Sequence, residues 1–219
     1  MTNKAIQPRR SHWVTFALMQ GILAPIIFAL TAIAGGVMRP DYSHVFQAIS
    51  ELTEAGAADK IYLDPPLLLM EILTILFGLG FFWTVRFLNW QLKSSALLLM
   101  IIGAGGMFFY RYPMDPMGAE MTSDGKMHLV IVTASALAAI LSVFLSARGW
   151  MATSDGRTMA RMSYTVLSVV LLTGFGSIFV AVWGWPGIGI WQRVNTGAFS
   201  VWQIATAITL MRSPTMQTQ

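Results

Sequence analysis

Six stretches of mostly apolar residues alternate with short polar stretches along the chain. A helix needs roughly 20 apolar residues to cross the hydrocarbon core of a bilayer. The pattern therefore predicts a single domain over residues 1–219 with six spans, placed at about 12–38, 66–88, 95–110, 128–147, 163–184 and 193–211. The expected fold class is an all-α integral membrane bundle of six transmembrane helices.

Composition supports a bilayer as the solvent for most of the chain. Hydrophobic residues make up 55% and charged residues 11% of the 219 residues, whereas an ordinary soluble domain carries about 25% charged residues. The basic residues are scattered singly, which is not the clustered pattern of a nucleic-acid-binding surface. Membrane lipids are therefore the expected partners, nucleic acid is not, and no oligomeric state is indicated. Cysteine is absent, which excludes disulfides and thiolate ligands.

The distribution of Lys and Arg predicts the orientation, because short cytoplasmic loops are enriched in both. With six spans, nine basic residues lie on the side of the N-terminus and five on the opposite side. The N- and C-termini are therefore expected in the cytoplasm. The first apolar stretch lacks a small-residue cleavage site and is read as a span rather than a signal peptide.

The first outer loop holds the densest polar pattern. Residues 42–52 are predicted to form a short interfacial or re-entrant helix, with Ser43 as one choice of N-cap. At helical spacing His44, Gln47 and Glu51 share one face. Two interpretations fit this pattern. The helix forms one wall of a functional site, or its polar side chains only hydrogen-bond to neighbouring loops.

Further polar groups are expected at the same outer face. Asp115 lies between Pro113 and Pro116, which restrict the local backbone. His128 begins the fourth predicted span, and Glu71 lies less than two turns into the second. An ionisable residue within a span is a functional candidate by default. These side chains are expected to meet near the outer helix ends.

Two kinds of chemistry fit such a cluster. The candidate catalytic residues, which would act as acid–base pairs, are His44, Glu51, Asp115 and His128. The candidate ligands of a divalent metal such as zinc are His44, Asp115 and His128. The candidate ligand-binding residues are Ser43, Gln47, Glu71, Arg111 and Arg193. Guanidinium groups bind anionic head groups through paired hydrogen bonds. The alternative role for Arg111 and Arg193 is a salt bridge between loops. No zinc-protease or serine-hydrolase motif is present.

The loops resemble those of a known family. The runs RPDYSH at 39–44, ISEL at 49–52 and YPMDP at 112–116, with the later His128, are similar to the prokaryotic membrane family called domain of unknown function 998. The chain departs from that pattern at residues 53, 54 and 58. A fainter similarity is to six-span proteins of the DRAM and Frag type. The first resemblance implies a bacterial inner-membrane protein without implying an activity, and the second favours a link to lipid.

The leading hypothesis is a lipid-facing protein whose outer polar pocket binds a lipid or amphiphile. Chemical modification of that molecule is a further activity that the same pocket would allow. The alternative is a small transporter or a non-catalytic accessory subunit, in which the same groups hold the loops together. The sequence does not decide whether the protein is an enzyme. No charged residue lies at mid-membrane, which argues against ion-coupled transport.

Overall fold

Six long helices make up most of the chain. The computed structural model describes residues 11–212, which form α1 His12–Met38, α2 Lys60–Val85, α3 Trp90–Gly106, α4 Ser123–Met151, α5 Arg157–Trp183 and α6 Ile188–Arg212. Two 3-10 helices, Ile49–Thr53 and Met107–Tyr110, lie between them. Residues 11–212 contain no β-strand, so the all-α prediction is confirmed. The two chain ends, residues 1–10 and 213–219, whose cytoplasmic position was predicted, lie outside the described residues.

Five helices are long and apolar enough to cross a membrane, namely α1, α2, α3 with its 3-10 extension to Tyr110, α4 and α5. This indicates a multi-pass membrane protein. Helix α6 is long enough but is not among the five. It carries Gln192, Arg193, Asn195 and Gln203, several of which turn into the protein. The sixth span therefore stays a prediction.

The helices form a closed ring around an apolar core. Each helix packs against its neighbours in the sequence, and α1 also packs against α6. Trp150, Trp202, Phe77 and Phe81 are among the largest fully buried side chains. Large apolar side chains also cover the outside, for example Phe175 of α5 with 68% exposure, as is expected for a surface that faces lipid.

Hydroxyl and amide groups join neighbouring helices within this core. Ser95 of α3 and Ser142 of α4 lie 3.1 Å apart through their hydroxyl oxygens. The Trp202 indole of α6 donates to the Ser163 hydroxyl of α5 at 3.1 Å. Such bonds hold membrane helices together where lipid supplies no hydrophobic drive.

One end of the bundle, here called the loop face, is formed by residues 39–59, 111–122 and 184–187. The Ala55 amide donates to the Met114 carbonyl across the first two of these loops at 2.8 Å. The Ile49 amide donates to the Gln192 side chain of α6 at 2.9 Å. The first connection is therefore bonded both to the second and to the start of α6.

Helix α2 begins earlier than predicted, at Lys60 rather than near Pro66. Pro65 and Pro66 lie inside it, so the carbonyls of Ile61 and Tyr62 lose their amide partners. Both residues are more than two-thirds exposed. A pairing of Lys60 with Asp64 at 2.8 Å stabilises this first turn.

The predicted helix over residues 42–52 is wrong in extent, because only Ile49–Thr53 is helical, as a 3-10 turn. The amides of Ser43 and Ala48 donate to side chains instead of helical carbonyls, to Gln47 Oε1 at 2.8 Å and Glu51 Oε1 at 2.6 Å. Such side-chain acceptors compete with helix formation. The segment is a folded loop that rests on α1 and α6.

Candidate functional site

Arg39 closes the first loop on itself. Its guanidinium donates to the Glu51 carbonyl at 2.7 Å and to the Leu52 carbonyl at 3.3 Å. It also lies 3.7 Å from a Glu54 carboxylate oxygen and 3.5 Å from one of Asp59. Burial raises the pKa of Glu54, and the Arg39 charge opposes that rise. These contacts make Arg39 part of the loop's internal structure.

Hydrogen bonds connect Gln47 and Glu51, which helical spacing places on one face with His44, to each other and to Ser43. Gln47 accepts from the Ser43 amide and donates to Glu51 Oε2 at 2.9 Å. Glu51 is 4% exposed, and its other oxygen accepts from the Ala48 amide. The Ser43 hydroxyl accepts from the Phe46 amide at 3.3 Å. All three side chains therefore serve the loop fold.

Arg193 of α6 joins the first loop to the helix bundle. Nη1 donates to the carbonyls of Gln47 and Gly189, each at 3.1 Å. Nη2 donates to the Tyr42 hydroxyl at 2.6 Å and to His44 Nδ1 at 2.9 Å. Burial raises the pKa of Tyr42, only partly offset by Arg193, so its phenol stays protonated. Its proton is donated to the Ala48 carbonyl at 2.8 Å.

His44 lies between α1 and α6. Because guanidinium can only donate, Nδ1 must accept, which leaves the proton of a neutral ring on Nε2. Nε2 lies against Gly36 of α1, where a Cβ atom would overlap the ring. The Tyr42 ring packs edge-on against the imidazole, with 5.3 Å between centroids. His44 is thus held in one tautomer with Nδ1 already occupied.

Asp115 and Arg111 act at the start of α4. Asp115 accepts from the Thr122 amide at 2.8 Å and from the Thr122 hydroxyl at 2.7 Å. Thr122 is the N-cap of α4 and accepts from the Gly125 amide at 3.1 Å. Arg111 pairs with Asp124 at 3.2 Å on an exposed surface. Asp115 therefore orients a helix cap.

Replacing Thr122 by alanine is expected to lower the free energy of unfolding by about 1 kcal/mol, since the cap hydroxyl is lost. Thr122→Ser retains the hydroxyl and should lose clearly less. The thermal unfolding midpoint in detergent measures both. An equal loss in the two variants would show that the hydroxyl does not stabilise α4.

His128 and Glu71 contact neither the first loop nor each other through any hydrogen bond or ion pair between residues 11 and 212. His128 is 5% exposed, and its Nδ1 lies 3.0 Å from the Tyr112 carbonyl. The Glu71 carboxylate lies against Gly106 of α3. The predicted site residues thus fall into separate groups.

The proposed metal ligands do not form a metal centre. Within the described part of the chain, no group of three or more His, Asp or Glu side chains is arranged to hold a metal ion. His44 is bonded to Arg193, whereas Asp115 and His128 are bonded to Thr122 and Tyr112. His44, Asp115 and His128 therefore do not come together as the predicted zinc ligands.

An open groove of about 490 Å³ runs between α1 and α6. Its walls are mostly apolar, and His44 and Arg193 form its polar end at the loop face. Of the predicted site residues it contains only these two. Its lining residues, in chain order, are Pro25, Ile26, Phe28, Ala29, Ala32, Ile33, His44, Ile49, Arg193, Thr196, Gly197, Ser200, Val201 and Ile204.

Sequence reasoning missed several residues that build this end of the groove. Tyr42 and Gln192 supply polar contacts to Arg193 and to the first loop. Gly36 and Gly189 let the loop approach α1 and α6, since a Cβ at either would overlap it. Tyr42 lies within the RPDYSH run, but nothing in the sequence pairs it with α6.

Comparisons with known proteins bear on the family and not on the activity. Searches of curated proteins and of solved structures find no match. The similarity to proteins of the DRAM and Frag type therefore stays a prediction. The family model described as "Protein of unknown function (DUF998)" matches residues 22–209. That range begins within α1, ends within α6 and includes every loop described above. The chain therefore belongs to the DUF998 family of proteins of unknown function.

Proposed function

We propose that this protein crosses the bacterial inner membrane six times, with both termini in the cytoplasm, and binds a membrane amphiphile in the groove between α1 and α6. The observation that carries the proposal is the groove itself. It is apolar along its length and ends in a cation and a histidine at the loop face. An elongated molecule with an apolar tail and a polar head matches that arrangement.

Helix α6 is consistent with a sixth span despite its lower hydropathy. Asn195, one of its polar residues, has partners inside the protein, since it donates to the Val170 carbonyl at 2.7 Å and to Thr173 at 2.9 Å. Polar side chains in membrane helices face the interior of the bundle. An even number of spans also places both chain ends on the same side.

Binding fits the geometry better than catalysis. A general base needs a free acceptor within reach of the substrate proton. His44 Nδ1 already accepts from Arg193, and both Glu51 oxygens accept within the loop. Asp115 is similarly occupied at the α4 cap. We therefore propose a binding protein without its own chemistry.

The alternative role is an accessory subunit whose loop-face groups only hold the loops together. It is favoured by one observation, the four hydrogen bonds that Arg193 makes within the protein. In that case the groove has no specific occupant. The two roles differ in whether one lipid is retained on purification.

Gly197→Phe is the direct test. A side chain at Gly197 points into open space, with no atom within 4 Å of the added Cβ, so a phenylalanine ring can fill the groove without distorting α6. Native mass spectrometry after detergent exchange should find one retained lipid on the unmodified protein and none on Gly197→Phe.

The matched control is Val194→Phe, which adds a similar ring at a position of α6 that is 44% exposed and does not line the groove. It should retain the lipid. Equal retention by both variants, or no retained lipid on the unmodified protein, would contradict the proposal.

A further inference from the structure

We infer that the occupant of the groove is an anionic phospholipid from the leaflet at the loop face, with its phosphate at Arg193. This rests on the proposed function and names its ligand. Groove length, groove position and charge each support it.

The groove has the length of one leaflet. From Arg193 to Ile204 it follows α6 over eleven residue-to-residue steps, which at the rise of an α-helix is roughly 17 Å. Half of a hydrocarbon core of about 30 Å is about 15 Å. The polar end lies at the loop face and the apolar end near the middle of the bundle. A lipid of that leaflet therefore fits with its head at Arg193 and its tail pointing inward.

The charge at the polar end lacks an ionic partner. Arg39 and Arg111 on the same face each lie within 4 Å of a carboxylate. Arg193 forms no salt bridge with any residue between 11 and 212, and its four acceptors there are two carbonyls, a phenol and an imidazole, all uncharged. A partly buried cation without a counter-ion is unfavourable. An anionic head group supplies the missing charge.

The groove also has no place for a cationic head group. Its lining contains Arg193 and His44 but no Asp or Glu. Glu51, the acid of the neighbouring 3-10 turn, is buried and bonded to Gln47 and to the Ala48 amide. A choline group would therefore meet no carboxylate, whereas a phosphate lies beside the Arg193 charge and accepts from its Nε–H, the one of its five N–H groups that has no acceptor among residues 11–212. The lining selects for net negative charge.

The test compares two lipids with identical oleoyl chains, phosphatidylglycerol and phosphatidylcholine, titrated onto delipidated full-length protein and followed by native mass spectrometry. The unmodified protein should bind phosphatidylglycerol about tenfold more tightly, because both lipids carry a phosphate but the choline ammonium of phosphatidylcholine brings a like charge close to Arg193. Raising the salt concentration should reduce this ratio, because a charge at a membrane interface is screened.

The matched variants are Thr196→Asp and Thr196→Asn. Thr196 lines the groove about one turn inward from Arg193, so Asp places a carboxylate beside the guanidinium, while Asn has the same size without charge. The measured quantity is the ratio of the affinity for phosphatidylglycerol to that for phosphatidylcholine. A substitution that weakens binding of both lipids equally leaves this ratio unchanged. We expect the ratio to fall to about one in Thr196→Asp and to stay well above one in Thr196→Asn.

The outcomes separate the two proposals. Equal affinities for both lipids in the unmodified protein, or a preference that survives Thr196→Asp, would overturn the choice of an anionic lipid while leaving the groove as a binding site. Binding of neither lipid, or binding that Gly197→Phe does not reduce, would overturn the groove itself.

Discussion

Arg193→Ala is expected to lower the free energy of unfolding by about 3 kcal/mol, since four hydrogen bonds from a charged donor are lost and their acceptors stay partly buried. The acceptors are the carbonyls of Gln47 and Gly189, the Tyr42 hydroxyl and His44 Nδ1. The thermal unfolding midpoint in detergent should drop, and the first loop should be cut faster by a protease.

Two substitutions serve as controls for this result. Arg193→Lys keeps the charge but cannot reproduce the planar fork, so an intermediate loss is expected. Arg111→Ala removes an arginine whose side chain is 67% exposed and whose partner is Asp124, which should cost less than about 1 kcal/mol. Equal effects of Arg193→Ala and Arg111→Ala would contradict the role assigned to Arg193.

Gly189→Ala is expected to separate the first loop from α6. The added Cβ would lie 2.6 Å from the His44 carbonyl oxygen and closer still to that of Gln47. These are backbone atoms and cannot rotate away, so the loop must move as a unit. Overpacking of this kind costs about 2 kcal/mol. The expected results are a lower unfolding midpoint and weaker lipid retention, because the loop carries His44 at the end of the groove.

Gly105→Ala is the matched control. Its added Cβ would meet only the Ser135 hydroxyl, at 3.5 Å, and alanine favours the helix over glycine by up to about 1 kcal/mol. Gly105→Ala should therefore be neutral or stabilising. Should Gly189→Ala behave in the same way, the close approach of the loop to α6 would not matter for stability.

The helices could be predicted because their signal is local. An apolar run long enough to cross a bilayer identifies a membrane helix without any knowledge of its neighbours. The errors lie at helix ends, as at Lys60, where two prolines obscured the start of α2. Helix α6 shows the limit of hydropathy, since residues such as Asn195 lower its apolar character while facing α5.

The site was predicted less well because its contacts join distant parts of the chain. His44 and Arg193 were both expected at the outer face, but their mutual hydrogen bond was not. Helical spacing grouped His44, Gln47 and Glu51, whereas the backbone there is a loop in which Gln47 donates to Glu51 and His44 is bonded to Arg193. Asp115 was expected to be catalytic, and it orients Thr122. Residue type alone does not distinguish a carboxylate that is free to react from one that is hydrogen-bonded to a helix N-cap.

The pairing of Arg193 with the first loop has a consequence for assembly. Its acceptors on Tyr42, His44 and Gln47 lie 151, 149 and 146 residues earlier in the chain. Chains fold from the N-terminal end as they are synthesised, so the first loop reaches the membrane surface long before the helix that holds it. Until α6 has been made, one wall of the groove is missing and the loop lacks these three hydrogen bonds. Helix α6 therefore completes both the contacts of the first loop and the groove.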